Sequence, residues 1–266
     1  MPAFPAPTWF VGAGNMAGAM LAGWQSAGVD LTPIVAIRPS GRPVPGIGRT
    51  VTSPDEAGDP PRMAVLGFKP QILDEVAPAL APRLTAETVL VSLLAGTPVS
   101  ALRARFPGVR RIVRAMPNLA VAVRRGVTAL YTEDADEAAG QHLSELTALL
   151  GVAVWSPNPT HFGAIGAMAA SGPAYAARFI DALAAAGAAR GLDPGLANTL
   201  ALETVLGTAW LAAAERSPMA DIARRVASPK GTTLAGLAVL DAELPALVGR
   251  TIDAAIARGE EIARGN

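Results

Sequence analysis

The sequence of 266 residues contains no cysteine and only two histidines, His142 and His161. The absence of cysteine excludes disulfides, thiolate nucleophiles and cysteine-ligated metals, and it is compatible with a reducing cytoplasm. The two histidines lie in no spacing typical of metal ligands, so we expect no metal site. The chain also lacks a recognisable Ser-His-Asp or Cys-His constellation for nucleophilic catalysis.

The sequence also has no excess of charge of either sign, because 22 basic residues balance 22 acidic ones. This balance favours neither nucleic acid nor an anionic membrane, so the expected partner is a small molecule. The uncharged first 25 residues have no basic start and are broken by prolines, and the apolar stretch near residues 165–189 contains charges and a proline. We therefore expect neither a signal peptide nor a membrane span, and we predict a cytoplasmic protein.

A glycine-rich stretch near the N-terminus, FVGAGNMAGAM, has the spacing of a dinucleotide fingerprint. Gly12, Gly14 and Ala17 match G-x-G-x-x-G/A, in which the first glycine turns the chain and the second lets the backbone approach a pyrophosphate. A short apolar strand precedes the turn and a helical pattern follows it, which is the required order. A pyrophosphate would then meet the N-terminus of that helix. The alternative is an ordinary glycine-rich turn.

The residues after the second predicted strand, IVAI, indicate which nucleotide is bound. A site for NAD usually has Asp or Glu there to hold the ribose hydroxyls, but this sequence continues as RPSGR, residues 38–42. Arg38, with Ser40 and Arg42, is suited to hold a 2′-phosphate through charge-assisted hydrogen bonds. We predict NADPH as the preferred cofactor, with NADH possible. The alternative is a solvated basic loop.

Strand and helix patterns divide the chain into two parts. The first part alternates helices with short apolar strands, predicted near residue 9 and at 34–37, 63–66, 88–94, 111–115, 126–131 and 152–154. After SPNPT (156–160) the pattern is helical, with about five or six helices. We predict an α/β fold in which a Rossmann-type nucleotide-binding domain, residues 1–158, has a mostly parallel sheet. An all-α dimerisation and substrate-binding domain, residues 159–266, follows.

Two of the predicted helices, residues 196–214 and 244–263, are apolar over much of their circumference. A helix of this kind has to bury the excess apolar surface, and a second copy of the chain is the simplest partner. The pattern therefore predicts a homodimer or a higher homo-oligomer.

Near the C-terminal end, the loop SPKGTT leads into the helical pattern LAGLAVL. Backbone N–H groups and the hydroxyls of Ser228, Thr232 and Thr233 would lie at a helix N-terminus, where they form a receptor for a carboxylate. A simple helix cap by Thr232 or Thr233 is the alternative.

Six stretches, taken together, resemble the pyrroline-5-carboxylate reductase family. In chain order they are GAGNMAGAM, FKP (68–70), VSLLAGTPVSAL (91–102), RAMPN (114–118), SGPAY (171–175) and VASPKGTTLAGL (226–237). The resemblance extends from about Trp9 to Arg264. It implies NADPH-dependent reduction of the cyclic imine 1-pyrroline-5-carboxylate to L-proline, the last step of proline biosynthesis. It also implies a dimer whose sites share residues from two subunits.

The resemblance assigns roles to individual residues. It places the nucleotide at Gly12, Gly14, Asn15, Met16, Arg38, Ser40, Lys69, Pro70 and Asn118. It places the substrate at Ser228, Gly231, Thr232, Thr233 and Glu215. Thr233 is the expected catalytic residue, with its hydroxyl near the imine nitrogen or the carboxylate. Because an imine can take its proton from water or a hydroxyl, the site needs orientation more than a strong acid or base.

The sequence departs from the family pattern near the substrate. Lys230 stands at the first glycine of the family's G-G-T-T loop, where a positive φ would cost about 1 kcal/mol. Leu119 and Ala120 replace Thr-Pro, and Ala170 replaces a glycine. The alternatives are a related NADP-dependent imine or β-hydroxyacid reductase, although the helix near Thr160 lacks the catalytic lysine of the latter family, or a non-catalytic NADP-binding homologue.

Overall fold

The structure is a computed structural model that describes residues 2–134 and 137–264. The described residues form two compact units. The first unit contains the residues up to Ser171 together with those from Ala255 onward, and the second unit is Gly172–Ala254.

The first unit is built on a sheet of eight strands among the described residues. The strands are β1 (Thr8–Val11), β2 (Ile34–Ile37), β3 (Arg49–Val51), β4 (Met63–Leu66), β5 (Val89–Ser92), β6 (Arg111–Pro117), β7 (Gly126–Thr132) and β8 (Gly151–Trp155). Their spatial order is β3-β2-β1-β4-β5-β6-β7-β8. Every described pair is parallel except β6 with β7. The predicted α/β class and the predicted strands are confirmed, and β3 is an additional strand at the edge.

Helices cover both faces of this sheet. They are α1 (Asn15–Ser26), α2 (Leu73–Leu80), α3 (Val99–Arg105), α4 (Glu137–Ala148) and α5 (Pro159–Ile165), the last continued by a π-helical turn, Gly166–Ala170. Successive side chains of a strand point to opposite faces. Phe10 therefore packs with α1 and α4, whereas Trp9 packs with α2, α3 and α5. Both rings are fully buried, so β1 lies at the centre of a doubly covered sheet.

The second unit is helical. It contains α6 (Gly172–Ala188), α7 (Pro194–Glu215), α8 (Met219–Val226) and most of α9 (Thr232–Ala263). Few of its side chains are buried, and α7 and α9 are long and apolar enough to cross a membrane by length and composition alone. In the single chain, α7 and α9 therefore expose much apolar surface.

The compact first unit continues through α5 because Phe162 packs into the core beneath the sheet, with its ring centroid 5.9 Å from that of Tyr131. The predicted boundary between residues 158 and 159 lies just before this helix. That boundary between functional domains stays a prediction.

Candidate active site

The glycine turn after β1 has the geometry that a dinucleotide needs. Gly12 has a φ of 82°, and a Cβ there would lie 3.0 Å from the backbone of Gly67, so the position requires glycine. Helix α1 begins at Asn15, and Gly14 before it provides no side-chain cap. The first N–H groups of α1 are therefore left for an anion, which the positive end of the helix also attracts. A pyrophosphate fits this cradle.

The sheet order places this turn at a topological switch point. Strand β2 lies on one side of β1 and β4 on the other, and nucleotides bind outside the carboxyl ends of the strands at such a point. Because β4, β5 and β6 are parallel to β1, the residues that follow them lie at the same edge. Lys69 and Pro70 follow β4, and Asn118 follows β6. The structure thus brings these predicted residues to one edge of the sheet.

The loop after β2 presents basic groups at that edge. Residues 38–41 form a turn in which the Gly41 N–H donates to the Arg38 carbonyl at 3.0 Å. The Arg38 guanidinium donates to the carbonyl of Arg42 at 3.4 Å, and Ser40 Oγ accepts from the Arg42 N–H at 3.4 Å. Within the described part of the chain, no carboxylate pairs with Arg38 or Arg42. The loop therefore keeps positive charge for a phosphate.

Asn118 is buried and held by internal hydrogen bonds. Its Oδ1 accepts from the Val127 N–H at 3.3 Å, and its Nδ2 donates to the Ala169 carbonyl at 2.9 Å. The side chain thus connects the end of β6 to β7 and to the π-helical turn. Its role as a cofactor ligand stays a prediction.

Arg114, in the same RAMPN stretch, is largely buried beside α5. Its guanidinium lies 4.5 Å from the centroid of the Phe162 ring, a cation–π contact. Burial lowers the pKa of Arg114, while the nearby Tyr131 and Glu133 oppose that change. Burial also raises the pKa of Tyr131. This cluster therefore joins β6 and β7 to α5.

The predicted carboxylate receptor lies in the second unit and begins with a tight turn. The Gly231 N–H donates to the Ser228 carbonyl at 2.9 Å, which closes a four-residue turn with Pro229 at its second position. Lys230, at the third position, has a φ of 60°. A four-residue turn in which the third residue, and not the second, has a positive φ is a type II turn, and this turn favours glycine at the third position. Of the two possibilities at this position, a strained lysine or a loop of another shape, the structure has the lysine at a positive φ.

Helix α9 starts directly after this turn. Its first residue is Thr232, so the cap position belongs to Gly231 and neither threonine is the cap. A Cβ on Gly231 would lie 2.3 Å from Ser228 Oγ, so the turn is too tight for a side chain there. The first N–H groups of α9 have no partner within the helix. They and the hydroxyls of Thr232 and Thr233 remain to receive an anion.

Glu215, the last residue of α7, is held by two neighbours. The guanidinium of Arg225 contacts both carboxylate oxygens, with Nη2 3.3 Å from Oε1 and Nη1 on Oε2. Ser217 Oγ donates to Oε2 at 3.2 Å. The hydrogen bond from Arg225 lowers the pKa of Glu215, so the carboxyl group is ionised at neutral pH.

Sequence patterns did not single out Arg225 or Ser217. Glu215 and Arg225 are ten residues apart, on two helices joined by a turn, and this is not a helical spacing. The proline and serine between them, in ERSP, were the only local sign of a turn. The nucleotide residues all lie in the first unit, and the predicted substrate residues all lie in the second.

A phosphate cradle at the edge of a Rossmann-type sheet, followed by a helical unit, is typical of NAD(P)-dependent oxidoreductases. Residues 9–96 match the family described as NADP oxidoreductase coenzyme F420-dependent, and residues 159–262 match pyrroline-5-carboxylate reductase dimerisation. The chain is 35% identical to a pyrroline-5-carboxylate reductase of Pseudomonas aeruginosa over 96% of each chain. It is 38% identical to that of Synechocystis over 71% of each. The chain belongs to the pyrroline-5-carboxylate reductase family.

Solved structures agree with this assignment. A pyrroline-5-carboxylate reductase from Coxiella burnetii has a TM-score of 0.86 and 28% identity, covering 97% of this chain and 98% of that one. A Plasmodium falciparum pyrroline carboxylate reductase with NADP bound has a TM-score of 0.85 at 22% identity, covering 99% of both chains, which shows the shared fold. The predicted family, fold and enzyme class are confirmed, and the β-hydroxyacid alternative is set aside.

Proposed function

We propose that this chain reduces 1-pyrroline-5-carboxylate to L-proline with NADPH, the last step of proline biosynthesis. The observation that carries the proposal is the likeness to the Pseudomonas reductase, which extends over 96% of both chains and so includes both units. The nucleotide turn and the anion-receptive turn before α9 supply the two binding functions that this reaction needs.

The residues of the first unit fit NADPH. The cradle at Gly12 excludes even a Cβ, as close approach of a pyrophosphate requires, and the loop containing Arg38, Ser40 and Arg42 is basic where an NAD site is acidic. Asn15, Met16, Lys69 and Pro70 complete the nucleotide side. When bound, NADPH supplies a hydride to the imine carbon.

The residues of the second unit bind and orient the imine. Ser228 and Thr232 hold the substrate carboxylate through their hydroxyls and the free backbone N–H groups at the N-terminus of α9. Gly231, whose own N–H closes the turn onto the Ser228 carbonyl, lets the carboxylate approach this end of the helix. Thr233 donates a hydrogen bond near the imine nitrogen or the carboxylate, and so fixes the ring for hydride attack. Glu215 helps to organise this site.

The exposed apolar helices support a homodimer as the working form. Side chains such as Leu206, Val239 and Leu247 are 52% to 62% exposed, and residues 159–262 match a dimerisation family. Helices of this composition are stable in water when a second copy covers them. We further propose that each site combines residues from two subunits and that the enzyme is cytoplasmic.

The substrate half of the proposal is tested by Thr233→Ala. Loss of a hydrogen bond to a charged substrate should raise the KM for the imine or lower kcat by about tenfold, while the Kd of NADPH stays unchanged. Thr251→Ala is the matched control, because Thr251 lies on the same helix and its hydroxyl donates only to the Leu247 carbonyl. Imine kinetics that do not change in Thr233→Ala would show that the substrate site lies elsewhere.

A further inference from the structure

We propose that Arg225 is a positioning residue for the carboxylate-binding turn, residues 228–231, and that it acts through its ion pair with Glu215. The inference rests on the proposed function, because it assumes that this turn receives the substrate carboxylate. The resemblance implies that Glu215 touches the substrate. The inference instead gives Glu215 the role of holding α8, the helix that leads to the carboxylate-binding turn.

Helix α8 needs such support because little packing holds it. It has only eight residues, and Ile222 is its one buried side chain. Its last residue, Val226, is separated from Ser228 by Ala227 alone. A rotation or shift of α8 would therefore move the turn directly.

The ion pair joins the C-terminal ends of α7 and α8. Glu215 is the last residue of α7, and Arg225 is the last but one of α8. Nη1 of Arg225 contacts Oε2 of Glu215 and Nη2 contacts Oε1, and two such parallel contacts fix an orientation as well as a distance. The Ser217 hydroxyl holds the carboxylate from a third direction, at 3.2 Å. The end of α8 therefore has one preferred position relative to α7.

The same pair contributes little to folding. The Arg225 side chain is 57% exposed and that of Glu215 is 35% exposed, and ion pairs at such sites are screened by water and salt. Small displacements of binding groups, in contrast, have large effects on how well a bound substrate is oriented. The loss of the pair should consequently be visible in substrate binding more than in stability.

The chain offers a matched control next to Arg225. Arg224 is the adjacent arginine of α8, and its partner is Asp221, three residues earlier on the same helix. Arg224→Gln removes one positive charge at nearly the same distance from the turn, but it leaves α8 tied to α7. The two substitutions therefore separate positioning from general attraction of an anionic substrate.

The experiment compares Arg225→Gln and Arg224→Gln in the full chain. We expect the KM for 1-pyrroline-5-carboxylate to rise roughly two- to tenfold in Arg225→Gln and to change little in Arg224→Gln, with equal Kd values for NADPH. The double variant Glu215→Arg/Arg225→Glu, which reverses the pair, should recover part of the lost affinity. Arg225→Lys, which keeps the charge but cannot form two parallel hydrogen bonds from separate nitrogens, should fall between wild type and Arg225→Gln.

Equal changes in KM for the two glutamine variants would show that only charge matters, and an unchanged KM in Arg225→Gln would show that the pair has no positioning role. Either result overturns the inference. If Arg225→Gln does not fold, failure of the reversed pair to bind the imine better than Glu215→Arg alone also overturns it. Wild-type protein without imine-dependent NADPH oxidation would instead contradict the proposed function.

Discussion

Lys230 is one of three described residues other than glycine with a positive φ, together with Arg124 and Arg216, and it is the one that lies in the carboxylate-binding turn. It has a φ of 60° at the third position of the turn from Ser228 to Gly231, a conformation that costs a residue with a Cβ about 1 kcal/mol or more. The side chain is exposed, and the free N–H groups at the start of α9 and the hydroxyls of Ser228, Thr232 and Thr233 offer donors for a carboxylate without it. We therefore attribute mild strain to Lys230 rather than a required contact with the substrate.

Lys230→Gly should raise the free energy of unfolding by about 0.5 kcal/mol, because relief of strain exceeds the added freedom of glycine in the unfolded chain. The KM for the imine should stay the same or fall. Urea unfolding and steady-state kinetics measure these two quantities. Lys230→Gln is the control, since it removes the charge but keeps the backbone conformation. Weaker imine binding in both variants, without a gain in stability, would show instead that the cation binds the carboxylate.

At the scale of elements, β6 and the π-helical turn depend on one buried amide. Asn118 connects β6, β7 and the carbonyl of Ala169, and a Cβ on Gly166 in that turn would lie 2.2 Å from Met116 Cε. The π-helical turn leads directly into the SGPAY stretch. The asparagine of RAMPN thus has a structural reason to be present, whatever it contributes to the nucleotide.

Asn118→Ala should lower the free energy of unfolding by about 1–3 kcal/mol, because it leaves the Val127 N–H and the Ala169 carbonyl without their side-chain partners. Thermal or urea unfolding measures this loss, and a titration with NADPH provides the second readout. Asn118→Asp retains an acceptor for the Val127 N–H but places a buried carboxylate oxygen against the Ala169 carbonyl, so its loss of stability should be at least as large. A fall in NADPH affinity with no loss of stability would show that Asn118 acts on the nucleotide instead.

Regular elements were predictable from the sequence, and contacts between them were not. The ends of β2 and β4 agree with the apolar runs because a strand covered on both faces is continuously apolar. Strand β3 has only three residues, one of them exposed, at the edge of the sheet, so no hydrophobic pattern marks it. The π-helical turn depends on Asn118, 51 residues away. The ion pair between Glu215 and Arg225 joins residues of two helices.

For the candidate site, the motifs located both binding turns but not what supports them. The dinucleotide spacing was sufficient to locate Gly12 and Gly14, and at Gly12 the positive φ and the contact with Gly67 require glycine. The threonines of SPKGTT were open to two interpretations; the structure places both in the first turn of α9, and their role in binding the substrate stays a prediction. The sequence did not indicate Arg225 because its contact with Glu215 depends on how α7 and α8 pack against each other.

At the scale of the whole molecule, the apolar surface of α7 and α9 predicts that the active form is a dimer. Leu206→Glu places a charge on an α7 side chain that is 54% exposed in the single chain. It should weaken association and reduce activity together, because a buried unpaired charge at an interface is costly. Light scattering measures the mass, and Glu203→Gln, at another exposed position of α7, is the control. A stable monomer of full activity would contradict shared sites.

The most direct test of the account is the oxidation of NADPH by the purified protein in the presence of 1-pyrroline-5-carboxylate, followed by the absorbance of the reduced nicotinamide. The account predicts oxidation that requires the imine, yields L-proline and is more efficient with NADPH than with NADH, because Arg38 and Arg42 stand where an NAD site has a carboxylate. Binding of NADPH with no imine-dependent oxidation would contradict it and would identify a non-catalytic nucleotide-binding homologue.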